Sequence, residues 1–370
     1  MTAVSAPPAV TPLAVVGCGV VSPAGYGLAP LAEALRPGGA LAGTDGPGVG
    51  DYPPRVIHAV PDFRIADHLG RKGTRYLDRL TSLALVACKQ ALEEVGAPET
   101  DQQRTRTGVV LATNTGSVSS HTSLLRQSYE GDKPYLLNPA EFPNTVMNCA
   151  AGQVAIRNKL KGLNATVAGG QAAALSAFRH ARIAMSVGRA DRLLVGGAEE
   201  LNAPSAWAWQ ASGALGDQAS LGEGCAVFVV EEPGERPALA HLLACEVGYH
   251  GGSASSAGDG RTISGGLAAC ITRALDRSGV RPEEVDTVAL GATHHLGLQG
   301  SEEHGVRSAL GRLPEPVRAG AVLGETYSAG GALQLAAVLA LWQSGQGGTT
   351  ALITSVGHDG NVGALVVRRP

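Results

Sequence analysis
Long hydrophobic runs are missing from this sequence: no apolar stretch approaches the ~18 residues that cross a bilayer, so no membrane span is expected. Net charge is also missing. The 29 basic and 32 acidic side chains leave −3, which argues against a broad basic surface for nucleic acid. Residues 1–11 are rich in Ala and Pro but have neither a positive n-region nor an apolar core, and read as a disordered tail rather than a signal peptide. Cysteines are few and unpaired: Cys18, Cys88, Cys149, Cys225, Cys245 and Cys270 stand singly, with no Cys-x-x-Cys. Free thiols in a reducing cytoplasm fit that pattern, each a small core residue. Nucleotide signatures are absent too, because Gly17-Cys-Gly-Val-Val-Ser22 lacks the third glycine of a dinucleotide loop and no P-loop occurs. Nor is there a Gly-x-Ser-x-Gly elbow, which disfavours a hydrolase.

What the chain does have is 44% hydrophobic residues over 370 positions, enough for a large core built as one big domain or two fused halves. Apolar runs alternate with helical spacing from end to end. Strands are expected at 13–21, 107–112, 192–198 and 224–232, with a helix at 80–95. The logic then repeats, with strands at 241–247, 287–291, 351–355 and 363–367, helices at 267–278 and 332–342, and a Gly/Ser-rich loop at 251–266. This is an α/β pattern, and it divides into related halves at 12–237 and 238–370.

Within the first half, the stretch 163–178 reads as a β-branched strand, two glycines for a sharp turn, and the first turn of an Ala-rich helix. Gln171 sits at the turn. A side chain presented there meets the helix dipole and free N–H groups, an environment that would acidify a thiol. A carboxamide neither ionises near neutral pH nor forms a thioester, so the scaffold of a nucleophile elbow is present without its attacking group.

Several segments in the right order carry a resemblance: Val15-Val-Gly-Cys-Gly-Val-Val-Ser-Pro-Ala-Gly25, Leu69-Gly-Arg-Lys-Gly-Thr-Arg-Tyr-Leu-Asp-Arg-Leu-Thr81, Phe142-Pro-Asn-Thr-Val-Met-Asn148, Gly188-Arg-Ala-Asp-Arg-Leu-Leu-Val-Gly-Gly-Ala-Glu199 and Leu221-Gly-Glu-Gly-Cys225. Over nearly its whole length the chain resembles the β-ketoacyl synthase branch of the thiolase fold. That resemblance implies a five-layered αβαβα architecture of two related halves and, in competent members, an elbow cysteine with two histidines that stabilise enolate and oxyanion.

Here the departures fall on the chemistry. Gln171 takes the cysteine position. In Gly291-Ala-Thr-His-His-Leu-Gly-Leu-Gln-Gly300, Thr293 falls on the first histidine, with His294 and His295 displaced by one and two residues. In Gly320-Ala-Val-Leu-Gly-Glu-Thr-Tyr-Ser-Ala-Gly-Gly331, Glu325 falls on the second histidine and Gly320 on a lysine, and in Gly357-His-Asp-Gly360 the gating phenylalanine is His358. Loss at all four positions resembles the chain-length factor, or ketosynthase β subunit, of bacterial type II polyketide synthases. That family implies a cytoplasmic, cofactor-free, non-catalytic subunit of an acyltransferase complex. It would pair with an active ketosynthase α subunit and meet the acyl carrier protein mainly through that partner. Phe142 to Asn148 and the compact chain look more like the highly reducing, polyene-making systems than the aromatic ones.

The same resemblance places tunnel or interface positions near Ser117, Ser120, Leu124 and Phe142, whereas the local reading of Ser117 is an ordinary helix N-cap. Two further readings stay open. Gln171 could support malonyl decarboxylation, although an ionised Glu325 would repel the developing charge, and the chain could be an assembly subunit with no influence on the pocket. A metal site from His294, His295, His304, Glu302 and Glu303 is disfavoured because adjacent histidines on an extended segment point to opposite faces. A dyad of His358 and Asp359 with one of these histidines would still lack a nucleophile.

Overall fold
The computed structural model describes residues 11–39, 41, 43, 52–250 and 260–370. The expected tail, except Thr11, and the first part of the Gly/Ser-rich loop, 251–259, lie outside the described residues. The first half of the chain contains β1 (Leu13–Ser22), α1 (Arg79–Val95), β2 (Thr107–Ala112), α2 (Val118–Glu130), α3 (Cys149–Asn158), β3 (Asn164–Val167), α4 (Ala173–Ser186), β4 (Arg192–Glu199), α5 (Ala203–Ser212) and β5 (Gly224–Glu231). The second contains β6 (Ala240–Tyr249), α6 (Gly260–Ser278), β7 (Thr287–Ala289), α7 (Leu298–Leu310), β8 (Pro316–Val317), α8 (Gly330–Gln343), β9 (Thr350–Val356) and β10 (Asn361–Arg368).

Strand order is the same in both: β1-β5-β4-β2-β3 and β6-β10-β9-β7-β8. The pairings match as well, antiparallel for the first two neighbours and parallel for the last two. The two sheets meet edge to edge where Leu13, Ala14 and Val15 of β1 pair antiparallel with Leu242, His241 and Ala240 of β6.

Alternation along each strand sorts side chains into three cores. On β5, Ala226, Phe228 and Val230 face a central core shared with Ala174, Phe178 and Ala181 of α4 and Leu335, Ala336 and Leu339 of α8, while Leu365 and Val367 of β10 close that core from the second sheet. The opposite face of β5, Cys225, Val227 and Val229, packs under Leu83, Ala87 and Ala91 of α1 and Val154 of α3. Beyond the second sheet, Leu267, Cys270 and Ile271 of α6 and Val306 of α7 cover Ala364 and Val366. Helix, sheet, helix, sheet, helix is the expected five-layered arrangement. Helix α8 is apolar on nearly every side because both of its faces meet a sheet. All six cysteines are free; five are buried and Cys149 is half-buried.

One expected boundary is corrected. The helix placed at 267–278 begins at Gly260, so part of the Gly/Ser-rich run is helical. Small residues serve packing there: a Cβ on Gly266 would come within 2.1 Å of the His250 ring. The strand expected at 287–291 ends at Ala289, after which the chain turns to supply site residues.

Candidate functional site
The site lies where the β3–α4 elbow of the first half faces three loops of the second. β3 ends at Val167, Gly170 takes φ +57°, and a 3₁₀ turn over Gly170–Ala172 leads into α4. Such a turn needs glycine, since an L side chain at that φ is strained. The elbow N–H groups are already engaged: Asn114 Oδ1 accepts from Gly169 N at 3.3 Å and Gly170 N at 2.9 Å. Gln171 is buried, its carbonyl accepting from Ser355 Oγ at 2.8 Å. The space beside it measures about 20 Å³, room for a single water and not for a thioester.

Thr293, expected at the first histidine position, is buried, and its Oγ1 has no hydrogen-bond partner among the described residues. Gly320, expected at the lysine position, lies beside it: a Cβ there would be 3.4 Å from Thr293 Cβ. Glu325 is not free. Its Oε2 lies 2.6 Å from His295 Nε2, and its Oε1 accepts from Tyr327 N at 2.7 Å. His295 Nδ1 in turn meets His358 Nε2 at 3.1 Å.

Burial alone would lower the His295 pKa, but the charge of Glu325, its hydrogen bond and the nearby Glu302 outweigh it, and the pKa is raised. Burial and the charge of His295 lower that of His358. The consistent proton arrangement is an imidazolium at His295 donating to Glu325 and to a neutral His358. Trp209 of α5 meets both His295 and Tyr327 edge-on, at centroid distances of 5.7 and 5.3 Å. A cavity of about 290 Å³ opens beside Trp209, walled also by Leu201, Leu221, Tyr327, Glu200 and Glu325.

Of the residues weighed for a metal, only His295 points into this cluster. Glu302 is buried, accepting from Gly291 N, Ala292 N and Thr354 Oγ1. Glu303 pairs with Arg307 and Arg318; His304 is exposed, and His294 adopts φ +62° with its N–H on Gln299. Asp359 does not pair with His358: its carboxylate accepts from Asn361 N and Nδ2.

Ser117 caps α2, accepting from Ser120 N at 3.2 Å, and its hydroxyl also bonds Ser120 Oγ and the Glu200 carboxylate. Ser117 is buried, at 2% exposure. Leu124 is half-buried on α2 and Phe142 is exposed. Around them lies an apolar surface that includes Leu125, Tyr129 at 86% exposure, Tyr135 at 73% and Leu136.

Sequence reasoning missed three buried acids. Burial keeps the Glu199 carboxyl above its usual range; it accepts from Ser328 Oγ at 2.5 Å and Asn114 N at 2.7 Å. Glu200 is pushed up to about 7, chiefly by burial, and Glu223 accepts from Arg79 Nε at 2.7 Å. The signal was legible: Ala198-Glu199-Glu200 ends a strand too apolar for its acids to be solvated.

A β-ketoacyl synthase N-terminal domain model matches residues 11–235. The chain belongs to the β-ketoacyl synthase family. It is 29% identical to the tetracenomycin polyketide synthase ketoacyl synthase β subunit of Streptomyces glaucescens over 89% of this chain and 85% of that one. It superposes on a chain of the ishigamide ketosynthase/chain length factor structure with a TM-score of 0.83 and 37% identity, covering 97% of this chain and 99% of the other. A β-ketoacyl synthase from Burkholderia phymatum matches with a TM-score of 0.84 at 18% identity, covering 97% and 100% of the two chains, which shows the fold alone. As a family member, the chain carries the elbow and both sheets of the fold, and Gln171, Glu325 and His358 gather where the elbow meets the second half.

Proposed function
We propose that this chain is a chain-length factor: a catalytically silent cytoplasmic subunit that pairs with an active ketosynthase and shapes the tunnel into which a carrier-bound polyketide grows. The observation that carries the reading is the engagement of Glu325 by His295 beside a closed Gln171. A reacting enolate needs uncommitted donors, and here the position of the second histidine holds a carboxylate that already consumes one. The pairing half of the proposal is supported by the surface. β3 is the edge strand of the first sheet, with Asn164 exposed and its neighbours only half-buried, and it lies in the same half as the apolar surface around α2. An open edge strand and exposed aromatics in a chain of this size call for a partner. The 37% identity to a chain of the ishigamide ketosynthase/chain length factor structure, over 97% of this chain, supports a place in such a pair.

The test is reconstitution. Co-expressed with a ketosynthase that carries the elbow cysteine and both histidines, the chain should purify as a complex and be required for condensation. Alone, with malonyl carrier protein, it should release no carbon dioxide; turnover that Gln171→Ala abolishes would overturn the silent-subunit reading.

A further inference from the structure
The turn at 357–360, between β9 and β10, is held against the elbow on one side. Asp359 lies so close to Gly170 that a Cβ there would come within 2.6 Å of Asp359 Oδ2, and a Cβ on Gly357 would stand 3.0 Å from Gln171 Oε1. Its other side is held by His358 through the 3.1 Å contact with His295 Nδ1. His295 is immobile in turn: Glu325 holds its Nε2, Trp209 packs on its ring, and Glu302 fixes the backbone at Gly291 and Ala292.

We propose that the His295–His358 contact is a latch that keeps the 357–360 turn closed over residue 171, so that the elbow is sealed as well as lacking a nucleophile. The latch concerns this chain's own elbow and holds whether or not the chain sets product length.

A latch made of two imidazoles counts protons. One proton between Nδ1 and Nε2 makes a hydrogen bond, whereas with both rings fully protonated each facing nitrogen is a donor and the contact becomes repulsive. The charged and titratable groups around it bias the count. Glu325 and Glu302 favour the cation at His295, and Glu325 and Asp359 face His358, opposed by burial and by His295 itself. His294 and Arg318 stand nearby on the β7–α7 loop and before Gly320, and the Tyr327 hydroxyl, pushed up to about 12 by burial and by Asp359, Glu199 and Glu325, stays neutral. The second proton is therefore taken up only on acidification, below the usual histidine range.

The experiment uses Gln171→Cys as a reporter, with alkylation of residue 171 by iodoacetamide followed by peptide mass spectrometry and normalised to the native, half-buried Cys149. In the full chain at neutral pH, labelling should be slow. Adding His358→Leu removes a charge-assisted hydrogen bond and should speed it by about tenfold or more. Adding His358→Gln instead, which can still accept from Nδ1 but cannot titrate, should keep labelling slow at neutral pH and abolish the acceleration, relative to Cys149, otherwise expected on acidification below the ordinary histidine pKa. Equal rates for the reporter alone and with His358→Leu, at matched melting temperatures, would overturn the latch. So would fast labelling in the reporter alone, or acid acceleration that survives His358→Gln.

Discussion

His295 Nε2 and Glu325 Oε2 meet at 2.6 Å where the side chains are 0% and 9% exposed. Removing one partner of such a pair strands the other as a buried charge. Glu325→Ala is expected to cost about 3–5 kcal/mol, and the double variant with His295→Ala less than the sum of the singles. Urea unfolding of the four proteins measures both quantities.

The two histidines also make stability depend on pH in opposite directions. His295 has a raised folded pKa, so its contribution is complete below the unfolded value of about 6.5 and is lost as pH rises through the folded one. His358 has a lowered folded pKa, so stability falls as pH drops below about 6.5 toward the folded value. Their combined contribution should peak near the ordinary histidine pKa. The stability curve of His358→Gln should lose the acid limb, and that of His295→Gln should lose the alkaline one.

Ser117→Ala should cost about 1 kcal/mol, the worth of an N-cap, because Ser117 caps α2 and touches Glu200. Thermal unfolding reads the loss. In a reconstituted pair the product profile should stay unchanged, which separates capping from a tunnel role at this residue.

Leu124 is the better probe of a tunnel. It is half-buried on the apolar side of α2, and each buried methylene is worth ~0.8 kcal/mol, so a bulkier side chain there can exclude the end of a growing chain. Leu124→Trp in the assembled pair is expected to shorten the products, by mass spectrometry of the released chains. Unchanged lengths from an intact complex would remove this position from the tunnel.

Gln171→Cys alone should not create a ketosynthase. Thr293 offers one hydroxyl, Glu325 is committed to His295, and Asn114 already accepts from the Gly169 and Gly170 N–H groups. Acyl transfer from an acyl carrier thioester, followed by mass spectrometry of the protein, should show no acyl adduct.

The layers were legible in the sequence because the central strands are apolar on both faces; strands at 107–112 and 192–198 sit within a residue of their expected ends. The elbow at Gln171 was legible because two glycines follow a β-branched strand. His295 was not. It was read as one of two displaced histidines in a polar loop, and only the αL turn at His294 sends it inward to Glu325 and His358. Trp209 and Asn114 were missed for a similar reason: contacts across 86 and 213 residues to His295 and Tyr327 leave no local pattern.

The repeated strand order has a cost that outlives any reaction. Two sheets whose parallel strands all stop on the same side leave a ring of turns whose amides and carbonyls must be answered by something, whether or not a substrate ever comes. Ser355 answers the Gln171 carbonyl across the two repeats, and the Asn114–Tyr327 and Ser328–Glu199 bonds tie the same turns together. A family member that gives up its reaction therefore cannot leave its old centre blank; it has to turn it into masonry.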